Sequence, residues 1–265
     1  MTNQEAIQGI DVSRHQGDVD FKKVWQCGGM SFAYVKATEG RDYVDPWFIR
    51  NWNKLLELDG DFGRGAYMFS RPDSIGGAAD GKAEADDFCH ALQSVGGYVD
   101  GAGPPVIDYE KYSGKGTAAN LAYLDSAIKT IEDRLARSPM IYTGRNVWNY
   151  QTDNSDRWAH LPLWLVEYTS KPEPRTLKDL PWQNYALWQW SGGGGHAIAK
   201  PVEGAGQVDV NRLGPGIDFD EFFRLTNTAT PDPDRQAIEV ILRKTLSLTK
   251  EASDSLEAAL ELLGK

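Results

Sequence analysis

The chain has 265 residues, which is enough for one large α/β barrel or for two smaller domains. Hydrophobic residues make up 41% of it, with nine Trp and eleven Tyr, so a sizeable core is expected and global disorder is excluded. The formal net charge of −10 argues against a nucleic-acid partner, because phosphate binding needs clustered Lys and Arg, but it leaves a neutral polymer such as a glycan open.

The beginning of the chain and its two cysteines bear on where the protein works. The stretch MTNQEAIQGIDVS has no basic start followed by an apolar run, so we expect no signal peptide. No apolar run approaches the roughly 18 residues of a membrane span. Cys27 and Cys89 lie far apart, without metal-type spacing, in segments that look helical. We therefore expect two buried thiols and no disulfide, as in proteins made for a reducing compartment.

Short apolar segments that end in polar or glycine residues recur along the chain and are predicted to be β-strands. They cover 9–13, 31–38, 63–70, 104–110, 139–144, 162–168, 185–191 and 207–213. Helical patterns at 45–58, 81–95 and 118–137 separate the earlier strands. This alternation predicts an α/β fold of parallel βα units, either a closed TIM-like barrel or an open doubly wound sheet. Since loops alone join the last three strands, one of them the glycine-rich 191–206, we expect an irregular barrel.

The character of the chain changes after residue 225. Residues 226–233 are poor in apolar side chains and contain Pro231 and Pro233, which predicts a linker between a barrel of residues 1–225 and a C-terminal segment. That segment, residues 234–265, is strongly helical, with apolar or small side chains in an approximate heptad stripe. It is expected either to fold back on the barrel as one or two helices or to form a coiled coil for oligomerisation.

Acidic residues occur where strands are predicted to end. In PPVIDYE (104–110), Asp108 and Glu110 are two apart, so they share a strand face, roughly 6.5–7 Å from one another. Asp11 closes the first strand and Asp209 lies in the last, and these strands are neighbours in a closed barrel. Four carboxylates at one mouth suit glycosidic bond cleavage, with one acid protonated and the others supporting an oxocarbenium-like centre.

Other interpretations of these acids remain open from the residues alone. A single Asp after a strand is commonly a cap or turn residue. Carboxylates by themselves also suit Mg²⁺ or Ca²⁺, although none of the four histidines has ligand spacing. Acyl and phosphoryl transfer lack support, because no nucleophile elbow or P-loop follows a strand. The favoured hypothesis from the residues is a glycosidase, with a metal site as the competing chemistry.

Aromatic residues gather in the same strand-end segments. Rings stack on the apolar faces of sugars, so a row of them makes a glycan-binding groove, while the alternative for each is barrel core. The candidate substrate-binding residues are Tyr67, Phe69, Tyr142, Trp164, Tyr168 and Trp188.

Eight segments taken together, in order from about Gly9 to Phe223, resemble glycoside hydrolase family 25, the Chalaropsis-type lysozymes. They are GIDVSRHQGDVDFKKV, SFAYVKATEGRDYVDPWFIRNW, GRGAYMFSRP, PPVIDYE, IYTG, PLWLVEY, LWQWS and VDVNR. The resemblance implies a barrel of five βα units and three further strands. It also implies cleavage of the β-1,4 bond between N-acetylmuramic acid and N-acetylglucosamine in peptidoglycan, without a metal.

Matched position by position, the resemblance implies that Glu110 is the general acid. Asp108 would be the nucleophile or would orient the substrate's N-acetyl group, and Asp11 and Asp209 would complete the acidic ring. This chain departs from many relatives in the second tryptophan of WQWS and in its glycine-rich loop, which puts subsite preference in doubt. The C-terminal helical segment falls outside the resemblance.

Within this family, chains that start directly at the barrel are often phage endolysins or virion-associated lysins. We therefore expect a lysin located in the host cytoplasm before lysis or on the virion, acting on bacterial peptidoglycan. No nucleic-acid partner and no membrane insertion are expected, and the C-terminal helices are candidates for homo-oligomerisation. The alternatives are a barrel that binds glycan without cleaving it and a chitinase-like glycosidase, although the fuller D-x-x-D-x-D-x-E run of chitinases is absent.

Overall fold

Eight strands close into a barrel in the order of the chain. The computed structural model describes residues 6–58, 61–98 and 101–223, so the predicted linker 226–233 and helical segment 234–265 lie outside the described residues. The strands are β1 (Gln8–Val12), β2 (Phe32–Glu39), β3 (Gly63–Phe69), β4 (Val106–Asp108), β5 (Met140–Thr143), β6 (Leu163–Val166), β7 (Leu187–Ser191) and β8 (Asp209–Leu213). All eight predicted strands are confirmed, and the closed barrel replaces the doubly wound alternative.

Strand direction makes the barrel irregular. The strands β1 to β7 pair in parallel, whereas β8 is antiparallel to both of its neighbours, β7 and β1. Because β8 runs backwards, its first residue lies at the end of the barrel where the other strands finish. In the register of β1 with β8, Asp209 is therefore directly opposite Asp11.

Helices follow each of the first five strands, which gives five βα units and then three further strands. The helices are α1 (Phe21–Gln26), α2 (Phe48–Leu56), α3 (Gly77–Ser94), α4 (Thr117–Leu135), α5 (Arg145–Thr152) and α6 (Phe219–Phe223). The sequence predicted α2, α3 and α4, and it also indicated a helical segment around Cys27, at the end of α1. It did not predict α5, which has only eight residues, about two turns. Among the described residues, no helix combines the length and apolarity needed to cross a membrane.

Aromatic rings fill the amino-terminal part of the barrel interior. Phe32 and Tyr34 of β2 pack there with Phe223, at centroid distances of 5.2 and 6.2 Å. Two glycines make the space: a Cβ on Gly9 would lie 2.4 Å from the Phe32 ring, and one on Gly65 would lie 2.1 Å from the Tyr34 ring. These rings pack the amino-terminal part of the interior closely, while a cavity lies at the carboxyl ends of the parallel strands.

The two cysteines are free thiols in different surroundings. Cys89 is buried in α3, as predicted, but the prediction of a buried thiol was wrong for Cys27, which is exposed. The reason is local: α1 is only six residues long and Cys27 is its C-cap, beyond the helical face that packs on the barrel.

Candidate active site

A cavity of about 340 Å³ opens at the carboxyl ends of the parallel strands. This is the face of an α/β barrel that carries catalytic groups. The side chains around it come from every strand and several loops: Asp11, Ser13, Arg14, His15, Lys36, Glu39, Tyr67, Phe69, Asp108, Glu110, Tyr142, Trp164, Tyr168, Gln189 and Asp209. All four predicted carboxylates and five of the six predicted aromatic residues line it.

The carboxylates of β1 and β8 form one side of the cavity. Asp11 is 7% exposed, and its Oδ2 accepts hydrogen bonds of 2.8 Å from the side-chain amides of Gln189 and Asn211. Burial raises the pKa of Asp11 to about 8, the charge of Asp209 adds to the rise, and the two amide donors oppose it. Burial also raises the pKa of Asp209, whose Oδ1 accepts the backbone N–H of Gly193.

The carboxylates of the fourth strand form the other side. Ile107 and Tyr109 point away from the cavity into the core, so Asp108 and Glu110 share the cavity face, as the two-residue spacing predicted. Asp108 is 7% exposed, and within the described part of the chain its buried Oδ1 has no hydrogen-bond partner. Burial, followed by the nearby charge of Glu110, holds the pKa of Asp108 well above its usual range.

Glu110 differs from the other acids because its side chain is exposed to the open cleft. The protein around the cleft still removes enough water to raise the pKa of Glu110. The Tyr142 hydroxyl, at 3.4 Å from Oε2, opposes this rise, and the charge of Asp209 adds to it. The pKa values of all four carboxyl groups are raised, so each binds a proton more readily than a free carboxyl group does, which is the direction that an acid catalyst needs.

A lysine that the sequence interpretation missed lies among these acids. Lys36 of β2 pairs with Glu39 at 2.5 Å and lies over the ring of Phe69 at 4.6 Å. Two residues three apart in a regular strand face opposite sides, but the register of β2 with β3 shifts between Lys36 and Thr38, and this irregularity brings Lys36 and Glu39 to the same cavity. The short segment VKATE contains no pattern that predicts such a shift.

Two neutral amides that were also missed organise the floor. The Oε1 of Gln189 accepts the hydroxyls of Tyr142 and Tyr168, each at 2.9 Å, while its amide nitrogen donates to Asp11. Asn211 also donates to Asp11 and accepts the indole N–H of Trp164 at 2.8 Å. These bonds fix the orientation of both amides, so the carboxylate of Asp11 is held from two sides.

The predicted aromatic residues lie in three places: at the mouth of the cavity, deeper in the cavity, and on the outer face of the barrel. Tyr168 is 41% exposed at the mouth, whereas Trp164 is buried beneath Tyr142 in an edge-to-face contact at 5.2 Å. Trp188 does not line the cavity: its neighbour Gln189 takes the inward position of β7, and the indole N–H of Trp188 donates to the Glu167 carbonyl at 2.9 Å on the outer face. The structure therefore places Trp188 as a packing residue of the barrel exterior.

Ser13, Arg14 and His15 form the edge of the mouth after β1. Their turn is closed by the Ser13 N–H, which donates to the Gln16 side chain at 2.9 Å. Asp45 adds a second anchor by accepting the Arg14 N–H at 3.0 Å. This edge faces the cavity with one arginine and one imidazole, which suit a polar substrate.

Metal ligation was the competing chemistry for the acidic cluster. Within residues 6–58, 61–98 and 101–223, no three His, Cys, Asp or Glu side chains are arranged as metal ligands. The contacts that the structure does show are amide donors on Asp11 and a phenol beside Glu110, and both oppose the rise in pKa of the carboxyl group that they contact.

Comparison with known proteins agrees with this geometry. The family model described as "Glycosyl hydrolases family 25" matches residues 10–197. Lysozyme M1 of Streptomyces globisporus is 32% identical over 216 residues, which is 78% of this chain and 67% of that protein. The N,O-diacetylmuramidase of a Chalaropsis species is 32% identical over 193 residues, 69% of this chain and 87% of that protein.

A solved structure extends the similarity to the fold. The bacterial lysozyme of Streptomyces coelicolor matches with a TM-score of 0.68 and 29% identity, covering 86% of this chain and all of that one. The chain is a glycoside hydrolase and, as its motifs predicted, it belongs to glycosyl hydrolase family 25.

Proposed function

We propose that this protein is an N-acetylmuramidase that cleaves the β-1,4 bond between N-acetylmuramic acid and N-acetylglucosamine in bacterial peptidoglycan. The relatives named lysozyme and N,O-diacetylmuramidase support the reaction class. The observation that carries the proposal is the convergence of Asp11, Asp108, Glu110 and Asp209 on one cavity. Glycosidic cleavage needs such a combination of a protonated acid and anionic partners.

Glu110 has the properties of the general acid. It is exposed to the cleft where the leaving oxygen would lie, and its pKa is raised by burial and by the charge of Asp209. A raised pKa keeps a larger share of Glu110 protonated at working pH, so that a proton is available for the departing sugar. The Tyr142 hydroxyl, at 3.4 Å, limits the directions in which the Glu110 side chain can point.

Asp108 is the partner carboxylate. Its Oδ1 is buried and has no partner among the described residues, although Asp108 lines the cavity. An unpaired buried acceptor is costly unless a substrate donor completes it. The amide N–H of a substrate N-acetyl group would complete it, and the acetyl oxygen would then be oriented toward the anomeric carbon. Direct attack by Asp108 on that carbon is the other route.

Asp11 and Asp209 support the reacting pair. Asp11 is held by Gln189 and Asn211, so it is a fixed carboxyl group on the opposite side of the cavity from Asp108. The charge of Asp209 raises the pKa of both Asp11 and Glu110, so these neighbours increase the proton affinity of the rim. Whichever of the four carboxyl groups is ionised provides negative potential for the positive charge that develops on the sugar in the transition state.

The test is the identity of the new reducing end. Purified protein is incubated with peptidoglycan, and the soluble fragments are reduced with borohydride and analysed by mass spectrometry. Fragments that end in reduced muramic acid support the proposal. Fragments that end in reduced glucosamine, or cleaved peptide stems with intact glycan, would assign a different reaction. The Glu110→Gln variant is the matched control and should release no fragments.

The phage-lysin role and the oligomerisation through residues 234–265 stay predictions of the sequence. Action on the bacterial cell wall follows from the proposed substrate. For oligomerisation, light scattering on the full chain gives a direct answer. A mass of two or more chains supports a role of 234–265 in assembly, and a monomer at all concentrations contradicts it.

A further inference from the structure

Two tyrosines form an exposed aromatic pair outside the cavity. Tyr112, in the loop between β4 and α4, is 49% exposed, and Tyr150 of α5 is 75% exposed. Their rings meet edge to face, with centroids 5.5 Å apart. In the described part of the chain, only one other Phe, Trp or Tyr side chain is comparably exposed, and that is Tyr168 at the mouth of the cavity.

The pair is held at a fixed position relative to the general acid. Tyr112 follows Glu110 by two residues, and the intervening loop is fastened by the buried side chain of Gln151. That side chain accepts the Ser113 N–H at 2.6 Å and donates to the Lys111 carbonyl at 3.0 Å. Gln151 is the neighbour of Tyr150, so this one side chain ties the backbone on both sides of Tyr112 to the helix that carries Tyr150.

The substrate is longer than the cavity. At about 340 Å³ the cavity is at the lower end of the range for small-ligand sites, whereas a peptidoglycan strand is a polymer. Most of a bound strand must therefore lie on the surface around the mouth. Exposed, pre-ordered aromatic rings bind sugar faces with little loss of conformational entropy, because their geometry is already set.

We propose that Tyr112 and Tyr150 form an outer subsite that binds the glycan strand of peptidoglycan beyond the cavity, on the β4–β5 side of the barrel. This inference rests on the proposed function and adds a second contact region for the same substrate. The exposed Lys111 and Lys115 flank Tyr112 in the same loop and place two positive charges beside the pair, in a chain of net charge −10. Carboxylates of the peptide stems are the anionic groups that accompany such a strand, and they complement these lysines.

The experiment compares long and short substrates. For the wild type and a Tyr112→Ala/Tyr150→Ala double variant, kcat/KM is measured on long glycan strands and on a muropeptide tetrasaccharide. We expect the ratio of the two values, long over short, to fall about tenfold in the double variant. Tyr150→Trp should retain the ratio, because a larger ring keeps the stacking surface. Ile49→Ala, which removes an equally exposed apolar side chain from α2, is the matched control and should leave the ratio unchanged.

A binding measurement separates this inference from the proposed function. In a Glu110→Gln background, sedimentation with intact cell-wall sacculi should show weaker retention after loss of both tyrosines. If the wild type releases muramic acid ends but the long-to-short ratio and the sedimentation do not change in the double variant, the outer subsite is refuted and the muramidase proposal stands. If the wild type releases no such ends, the proposed function itself fails.

Discussion

Replacing Asp11 with Asn should make the protein less sensitive to alkaline destabilisation while impairing catalysis. In the folded protein, burial and the charge of Asp209 raise the pKa of Asp11 from 3.8 to about 8. Between these two values the folded state binds a proton that the unfolded state has lost, so the free energy of unfolding falls as pH rises. The stabilisation from Asp11 is complete below about pH 4 and is lost as pH rises through about 8.

The size of the effect can be worked out from the shift in pKa. A pKa difference of one unit between the folded and unfolded states changes the free energy of unfolding by 1.36 kcal/mol, so the rise of about four units contributes about 6 kcal/mol at low pH. About 4 kcal/mol of this contribution to the free energy of unfolding is lost between pH 5 and pH 8. An Asn at this position does not titrate, and its oxygen can still accept the amides of Gln189 and Asn211. The Asp11→Asn variant should therefore lose about 4 kcal/mol less than the wild type over this interval.

Urea unfolding at pH 5 and pH 8, followed by far-UV circular dichroism, measures both free energies. Asp61→Asn, which changes an exposed carboxylate far from the barrel interior, is the control and should follow the wild type. Parallel pH dependence in the wild type and Asp11→Asn would overturn this prediction, because the rim would then not hold a proton on Asp11.

Further predictions concern the other rim acids and the packing below them. Glu110→Gln should reduce the release of reducing ends from peptidoglycan by at least about 10³-fold with unchanged thermal stability, and substantial residual turnover would remove Glu110 from the acid role. Asp108→Asn should be severely impaired at every pH, since an amide cannot titrate, and recovery at any pH would contradict its role. Asp209→Asn should shift the alkaline limb of the pH–activity profile to lower pH, because the charge that helps raise the pKa of Glu110 is removed, whereas an unmoved limb would contradict this coupling. Gly65→Ala should lower the free energy of unfolding by about 1–3 kcal/mol or more, because a Cβ there would lie 2.1 Å from the Tyr34 ring, and a neutral effect in urea unfolding would show that the interior can relax.

Much of the fold was predictable because each strand is a short apolar run bounded by polar residues. All eight runs became strands, and the position of Asp108 and Glu110 on one face followed from the two-residue period. The direction of β8 was not predictable, since an apolar run is the same in either direction. That reversal brings Asp209, the first residue of β8, to the same rim as Asp11.

The missed site residues show where residue type is a poor guide. Lys36 reaches the cavity through a local shift of register, and Gln189 and Asn211 are neutral amides that carry no catalytic signature. Trp188 was chosen because aromatic rings bind sugars. In WQWS, however, the two tryptophans lie on the opposite face of the strand from Gln189. Gln189 lines the cavity, so Trp188 faces away from it.

The roles of Glu110 and Asp108 are tested most directly by a crystal structure of Glu110→Gln with a bound muropeptide that spans the scissile bond. We expect the glycosidic oxygen to lie within hydrogen-bond distance, about 3 Å, of the side chain at position 110, with the N-acetyl group or the anomeric carbon of the muramic acid facing Asp108. A saccharide bound with its glycosidic bonds away from both residues, or outside the cavity lined by Asp11 and Asp209, would contradict these roles.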